Sequence, residues 1–286
     1  MKFSLYKRKT IGEKSLYTFV FLLFAVFAFT YVYMIFWCAY SGMRSYHDIA
    51  LHPFGFSKLQ LKNYIDVFTI MESGGTSFGM MFLNSLYFSF LGPALSIMIT
   101  TMLAYVTNKY RFPGSGAIYV IVLIVITLPI YGSQSAMYKL LYNLNFLNSR
   151  LMILTSLNGF SIYYMYFYAF FSGMSWSYAE AAEIDGANHW QIFFRIMFPP
   201  ALTMAGSLFQ LVWITDWNNY GSALIYLSKM PTLAVGIYNF KTRMIYSSRI
   251  DILYAGCTIS LLPPLIMFII CNNALMSNVS LGGIKE

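Results

Sequence analysis

The chain has 286 residues, of which 58% are hydrophobic and 10% carry a formal charge. A soluble domain usually has about a quarter of its residues charged, so the composition excludes an ordinary water-soluble fold and predicts a membrane protein. The formal net charge of +8 is attributed to contact with a membrane surface and not with nucleic acid, because no basic stripe outside the N-terminal tail exceeds three residues.

Six runs without a charged residue follow one another along the chain. They cover residues 15–43, 73–108, 112–138, 151–179, 196–215 and 252–284. Each run is long enough for a helix of about 20 residues to cross the hydrocarbon core of a bilayer. Helices are expected because backbone polar groups in lipid must be hydrogen-bonded within their own segment, and none of the runs alternates like a barrel strand. The sequence therefore predicts an all-α integral membrane protein with six transmembrane helices.

The predicted helices are separated by short polar or proline-containing segments. In chain order they cover about residues 16–40, 81–106, 113–138, 151–172, 199–224 and 252–274. The segment 41–80 is predicted to be a long outer loop, and the segment after residue 224 a basic outer loop. Proline removes one helical hydrogen bond and favours a kink, so Pro129, Pro263 and Pro264 are candidate bends.

The N-terminal tail predicts the orientation of the chain. Residues 1–14 contain five cations and one acid. Cationic flanks stay in the cytoplasm and the first helix usually dominates orientation, so an even number of spans places both termini there. The predicted organisation is a cytoplasmic basic tail (1–14), a six-helix domain (15–276) and a cytoplasmic C-terminal tail (277–286). The first run is too long for a signal-peptide core and is interpreted as a retained helix.

Enzymatic and nucleotide-binding motifs are absent from the sequence. No segment ends in the Gly-Lys-Ser/Thr pattern of a phosphate loop, so the chain is predicted to hold no ATP. The three cysteines have no metal-ligand spacing. His47, Asp48 and His52 are interpreted as a solvated loop, with a metal site as the alternative. No histidines, cysteines or paired carboxylates converge in the spans, so the chain is predicted not to be an enzyme.

The most specific segment lies between predicted helices 4 and 5, over residues 177–199. It holds the run Glu180-Ala181-Ala182-Glu183-Ile184-Asp185-Gly186-Ala187 and ends at Pro199. The pattern predicts a short helix, a sharp bend at Gly186 and a second, amphipathic helix that ends at Pro199. The small alanine side chains allow another surface to approach closely, and a carboxylate near a helix N-terminus is favoured by the helix dipole.

This segment resembles the EAA loop of the membrane subunits of binding-protein-dependent ABC importers. The matching residues are Glu180, Ala181, Ala182, Asp185, Gly186, Ala187, Phe193, Ile196 and Pro199, and Phe198 replaces the usual leucine. The resemblance implies a type I ABC importer permease fold with a cytoplasmic coupling helix, in which Glu183 belongs to the same set. It further implies that the helix docks on a cytosolic ATPase and that ATP and Mg²⁺ bind to that partner, with no cofactor in this chain.

Predicted helix 5 carries a second cluster of polar and aromatic residues, which comprises Gln210, Trp213, Asp216, Trp217 and Asn218. A carboxylate at membrane depth is costly, so Asp216 should face the bundle interior or a wet cavity. Trp213 and Trp217 share one helix face with it. Indole rings stack on sugar rings and carboxylates bind hydroxyls, so the cluster predicts a path for a neutral polyol. Tyr164 and Tyr168 are further path candidates. An interfacial aromatic belt is the alternative interpretation.

The pair Trp217-Asn218 and the ending Gly282-Gly283-Ile284-Lys285 resemble the second permease subunit of maltose-type carbohydrate importers. The proline that usually follows Tyr220 in that family is absent here. The resemblance implies oligosaccharide uptake across a bacterial cytoplasmic membrane by alternating access. The implied partners are a second permease, two ATPase subunits and an extracytoplasmic sugar-binding protein. A permease for a peptide, phosphate or polyamine and a non-transporting membrane scaffold remain alternatives.

Overall fold

A computed structural model describes residues 10–110, 112–128, 132–247 and 249–281, without the side chains of residues 244–247 and of those after Cys271. Three sequence-based predictions concern residues outside this set. They are the first nine residues of the basic tail, the bend at Pro129 and the ending 282–285.

The described chain is helical apart from one short hairpin. Its elements in order are α1 (Ile11–Gly42), α2 (Tyr46–Leu51), α3 (Lys62–Ile70), β1 (Glu72–Ser73), β2 (Thr76–Ser77), α4 (Phe78–Lys109), α5 (Ser115–Thr127), α6 (Gln134–Asn143), a 3₁₀ helix (Arg150–Ser156), α7 (Ile162–Gly173), α8 (Ser177–Ile184), α9 (His189–Ile192), a π-helical turn (Phe193–Met197), α10 (Phe198–Asn218), α11 (Gly221–Tyr226), α12 (Leu233–Ser247) and α13 (Ile250–Leu281). The two strands pair antiparallel, with Glu72 opposite Ser77. The predicted all-α class is confirmed.

Four helices in the described part of the chain are long and apolar enough to cross a membrane. They are Ile11–Gly42, Phe78–Lys109, His189–Asn218 and Ile250–Cys271. With 13 and 12 residues, α5 and α7 would extend about 20 Å and 18 Å at 1.5 Å per residue. Both lengths fall short of the ~30 Å hydrocarbon core, so the count of six spans stays a prediction.

The predicted bounds of helices 3 and 4 are wrong. Helix 3 was expected over residues 113–138, but α5 ends at Thr127 and Gly132 adopts a φ of +80° before α6 begins. Helix 4 was expected from residue 151, but a 3₁₀ helix and a break precede α7. In that break the Asn158 side chain accepts a hydrogen bond from the Phe160 N–H at 3.0 Å, and such local bonds compete with helix formation.

The regions predicted as outer loops contain more helix than expected. The segment 41–80 holds α2, α3 and the hairpin, and the segment after residue 224 holds α12. Predicted helix 5 was expected to reach residue 224, but α10 ends at Asn218. The Asn219 side chain accepts a hydrogen bond from the Ser222 N–H at 3.2 Å and so turns the chain into α11. Pro263 and Pro264 lie inside the continuous helix α13.

One compact unit of the structure comprises the chain up to Met71 together with Lys241–Ser260. Arg44 is fully buried in it. Its guanidinium donates to the Ser57 Oγ at 3.0 Å and to the carbonyl oxygens of Asp48, His52 and Pro53 at 2.6–2.9 Å. Hydrogen bonds from a charged donor are stronger than neutral ones. Arg44 therefore holds the segment after α1 in place. Among the described residues, no group of three His, Cys, Asp or Glu side chains is arranged to hold a metal ion.

Gly42 allows two backbones of this unit to approach closely. An added Cβ would lie 2.9 Å from the backbone N and Cα of Ala255 and 3.0 Å from the Tyr64 hydroxyl. We expect Gly42→Ala to destabilise the unit by about 1–3 kcal/mol, because overpacking forces the backbone to shift. Thermal unfolding in detergent measures this. Gly12→Ala is the control, since no atom lies within 4 Å of its added Cβ; equal unfolding midpoints for the two variants would contradict the assignment.

The second unit comprises Glu72–Phe240 and the chain from Leu261 onwards. Its axis is α4, which packs against α5, α7, α10 and the 3₁₀ helix. Thr107 on α4 and Tyr164 on α7 share a buried hydrogen bond of 2.7 Å, and aromatic and small side chains of α4, α7 and α10 fill the core. Both candidate sites described below lie in this unit.

Candidate functional site

The EAA segment (residues 177–199) forms a helix, a tight turn and a second helix. Gly186 ends α8 with a φ of +81°, a conformation that glycine adopts without steric cost. The Gly186 N–H donates to the Glu183 carbonyl at 3.0 Å, and the Ala187 N–H donates to the Ala182 carbonyl at 2.9 Å. These two bonds are those of a Schellman motif, which satisfies carbonyl groups at a helix C-terminus. The turn at Gly186 is therefore fixed by backbone hydrogen bonds.

The second helix begins immediately after this turn. The Asn188 side chain accepts from the Gln191 N–H, and the Gln191 side chain accepts from the Asn188 N–H, both at 2.9 Å. This reciprocal pair is a capping box, which satisfies two otherwise unpaired donors at a helix start. A C-terminal cap and an N-terminal cap thus follow one another within three residues, so the segment has a defined bend.

The prediction that the second helix ends at Pro199 is wrong. The helix runs without a break from His189 to Asn218 and carries the two prolines inside it. A π-helical turn over Phe193–Met197 precedes them. Proline lacks an N–H and clashes with the carbonyl four residues earlier in a regular α-helix, and the wider π-turn with its bond from the Phe198 N–H to the Phe193 carbonyl accommodates them there.

The two faces of the EAA segment differ sharply in burial. The buried side chains are Ala179, Ala182, Ile192, Phe193 and Met197, which belong to the core of the unit. The exposed residues include Glu180, Ala181, Glu183, Asp185, Gly186 and Pro199. Ile184 is 86% exposed and Trp190 63% exposed. The segment therefore presents a tip with acidic and apolar groups on a firmly packed base.

The end of α4 holds this base through residues 108–110, which we call the clamp. The Lys109 Nζ donates to the Met174 carbonyl at 2.6 Å, and the Asn108 amide donates to the Ser172 hydroxyl at 2.5 Å. The Tyr110 hydroxyl lies 3.0 Å from the His189 Nδ1. The clamp thus contacts the chain on both sides of α8. Sequence reasoning missed it, because Lys109 was used only as a topology signal and no motif marks the three residues.

Removal of the Lys109 ammonium should weaken the hold on the EAA segment. Lys109→Met loses a hydrogen bond from a charged group, which is worth about 1.5–3 kcal/mol. We expect faster amide hydrogen exchange over residues 174–186. Lys139→Met is the control, because Lys139 is exposed and lies on α6. Unchanged exchange in Lys109→Met would contradict the role of the clamp.

The second candidate site is a cavity beside the end of α10. Its volume is about 130 Å³ and Asp216 lies in its wall. The polar lining comes from Thr155, Ser156, Asn219, Ser222 and Thr232, and the apolar lining from Phe88, Met152, Ile153, Ala223, Tyr226 and Leu227. Within the described residues no side chain or N–H donates a hydrogen bond to the Asp216 carboxylate. The cavity therefore places an unpaired carboxylate among hydroxyl and amide groups.

The structure separates Asp216 from the two tryptophans predicted to share its stripe. Trp213 and Trp217 are 2% and 5% exposed, and their rings stack on each other at 5.4 Å. Neither lines the cavity. The Gln210 Oε1 and the Trp213 Nε1 are buried without a hydrogen-bond partner. Asn218 is exposed and donates to the Ile214 carbonyl at 2.8 Å. The predicted cluster is thus split between a packed interior and a polar cavity.

Comparison with known proteins identifies the family. The model of the family described as "Binding-protein-dependent transport system inner membrane component" matches residues 96–280, which is well over half of the chain. The chain belongs to this family. It is therefore a multi-pass membrane component of an ABC importer and not an enzyme. Permeases of this family act with a partner permease, an ATPase and a binding protein.

Individual relatives agree with the family match. The chain is 27% identical over 222 residues to the arabinooligosaccharides transport system permease protein AraQ of Bacillus subtilis, covering 77% of this chain and 78% of the relative. It is 26% identical over 251 residues to the diacetylchitobiose uptake system permease protein NgcG of Streptomyces coelicolor, covering 86% and 82%. A chain of a bacterial ABC transporter involved in the import of the acidic polysaccharide alginate has the same fold, with a TM-score of 0.75 at 20% identity over 93% of this chain and 98% of that chain.

The tyrosines predicted to line a path lie near the clamp of this inner membrane component. Tyr164 is fully buried and bonded to Thr107, so it serves the packing of α4 against α7. Tyr168 is half-buried, and its ring lies 4.8 Å from that of Tyr119. It lines a polar cavity that Asn108, Lys109, Ser172 and Trp176 also border. The structure thus brings Tyr168 to the clamp and not to the cavity of Asp216.

Proposed function

We propose that the chain is one of two permease subunits of a bacterial importer that takes up oligosaccharides. The proposal places it in the cytoplasmic membrane, with both termini in the cytoplasm. Membership in the importer family supports it, as do the names of the relatives AraQ and NgcG. The observation that carries it is the EAA segment, whose exposed tip lies on a buried base.

In this proposal the EAA segment docks on one of two cytosolic ATPase subunits. ATP and Mg²⁺ bind to those subunits and not to this chain. The exposed Ala181 leaves room for a close surface contact, while Glu180, Glu183 and Asp185 give the tip a negative charge. Closure of the ATPases on ATP moves the tip and switches the bundle between its inward- and outward-facing states. Such a switch needs two states with different contacts to the same partner.

The substrate path is proposed to pass the outer end of α10. Asp216 and the hydroxyl groups of its cavity supply hydrogen-bond partners for a polyol. The unpaired Gln210 Oε1 and Trp213 Nε1 are costly in a closed interior. We assign them, with Trp217, to the wall that opens toward substrate in the other state of the cycle. An extracytoplasmic sugar-binding protein delivers the substrate.

The test is purification of the tagged chain in mild detergent, followed by ATPase assays in the presence of the binding protein. We expect a second permease and an ATPase to copurify, and an oligosaccharide to raise the rate of ATP hydrolysis. Stimulation by a peptide, phosphate or polyamine but by no glycan would assign a different solute. Purification of the chain without an ATPase would overturn the proposal and favour the membrane scaffold.

A further inference from the structure

The cavity that contains Asp216 has an uncompensated negative charge. None of its described lining residues is a lysine, arginine or histidine. Two cations lie close in sequence to lining residues but do not line the cavity. The guanidinium carbon of Arg150 lies 5.6 Å from the centre of the Tyr87 ring, and Lys229 is exposed. A half-buried carboxylate is screened less than one in open water. The potential inside the cavity is therefore negative.

The shape of the cavity brings hydroxyl groups toward this carboxylate. Gly92 of α4 faces both the Ser156 hydroxyl and the Asp216 carboxylate: a Cβ added there would lie 3.0 Å from the Ser156 Oγ and 3.6 Å from the Asp216 Oδ2. Asn219 and Ser222, which are exposed, mark the mouth. The cavity has room for a hydroxyl or hydroxymethyl group and its water, but not for a whole oligosaccharide.

We propose that this cavity is a hydroxyl-binding subsite that selects neutral glycans and rejects glycans that carry a carboxylate. The proposal rests on the proposed function and adds the charge class of its substrate. Asp216 accepts a hydrogen bond from a sugar hydroxyl, which has a proton to donate. A uronate carboxylate at the same place has none, and it meets a like charge with no lining cation to offset it.

The charge of the cavity can be measured without any substrate. In a background that lacks Cys38, Cys257 and Cys271, Ser222→Cys places a thiol at the mouth. The reaction rates of that thiol with a cationic and an anionic methanethiosulfonate reagent are compared, with Ser133→Cys on the exposed start of α6 as the control. We expect the ratio of the cationic to the anionic reaction rate to be about tenfold higher at Ser222→Cys than at Ser133→Cys. Adding Asp216→Asn should make the two ratios equal. Equal preferences at the two positions would overturn the inference.

The selection of substrate is then measured with the complete importer in liposomes. Uptake of a neutral oligosaccharide and of its uronate counterpart is compared in the wild type, Asp216→Glu and Asp216→Asn. The same binding protein is used with all three importers, so its own preference between the two glycans does not affect the comparison of their uptake ratios. We expect the neutral-to-acidic ratio to fall about tenfold in Asp216→Asn and to persist in Asp216→Glu. An unchanged ratio in Asp216→Asn overturns the inference and leaves the importer function intact. A wild-type importer that transports no glycan overturns the proposed function and with it the glycan assignment.

Discussion

Replacement of Gly186 with aspartate is expected to end substrate-stimulated ATP hydrolysis and uptake while the chain stays folded in the membrane. Gly186 has a φ of +81°, and no atom lies within 4 Å of an added Cβ. The backbone strain therefore costs only about 1–2 kcal/mol. The larger effect falls on docking, because a fourth carboxylate joins Glu180, Glu183 and Asp185 at the tip. We expect uptake to fall about a hundredfold, which corresponds to a loss of about 2.8 kcal/mol of docking free energy, and the ATPase to be lost from pull-downs.

The control for this variant is Gly75→Asp. Gly75 has a similar φ of +76° and equally open surroundings, but it lies in the hairpin between β1 and β2. It should keep wild-type uptake. Normal uptake by Gly186→Asp would contradict the docking role of the tip, and equal loss in both variants would show that backbone strain alone is responsible.

Replacement of Arg44 with methionine is expected to cause the largest loss of stability in the unit that contains it. Methionine preserves most of the apolar stem but removes a charge and four hydrogen bonds. The acceptors left behind are the Ser57 hydroxyl and three carbonyl groups. A hydrogen bond that involves a charged group contributes about 1.5–3 kcal/mol. We expect the loss of the whole network to cost about 3 kcal/mol, because the bonds are only partly buried and water can replace part of each.

Thermal unfolding and amide hydrogen exchange measure this effect. Exchange should rise over residues 45–57, which the guanidinium holds, and the unfolding midpoint should fall. Lys58→Met is the matched control, because Lys58 is an exposed cation in the same segment. A midpoint shift in Arg44→Met no larger than that in Lys58→Met would refute the assignment.

In this chain the sequence predicts which helices are present better than it predicts the residues at which they begin and end. Charge-free runs mark α1, α4, α10 and α13, because hydrocarbon tolerates few charges and each run is long. The same criterion misplaces α5 and α7, because the breaks at Gly132 and Asn158 are set by a backbone angle and a local hydrogen bond that hydropathy does not record. The end of α10 at Asn218 has the same kind of cause.

The candidate sites also combine features that follow from the local sequence with features that do not. The turn at Gly186 follows from its own residues, since a Schellman motif and a capping box are local. The buried position of Trp213 does not follow from its neighbours in sequence. Helical spacing shows which residues share a face but not what that face contacts. The clamp depends on Lys109 reaching Met174, 65 residues away in sequence. Only the folded chain brings such distant residues together.

The unbroken helix from His189 to Asn218 has a mechanical consequence. Its 30 residues correspond to a rod of about 45 Å at 1.5 Å per residue. One end follows directly from the bend at Gly186, and Asp216 lies at the other end. The helix is continuous, so the tip and the cavity are connected by a single element, in which regular α-geometry is interrupted at the π-turn that precedes the two prolines. In the proposed mechanism, the stiffness of the π-turn sets how much of the movement of the tip reaches the cavity.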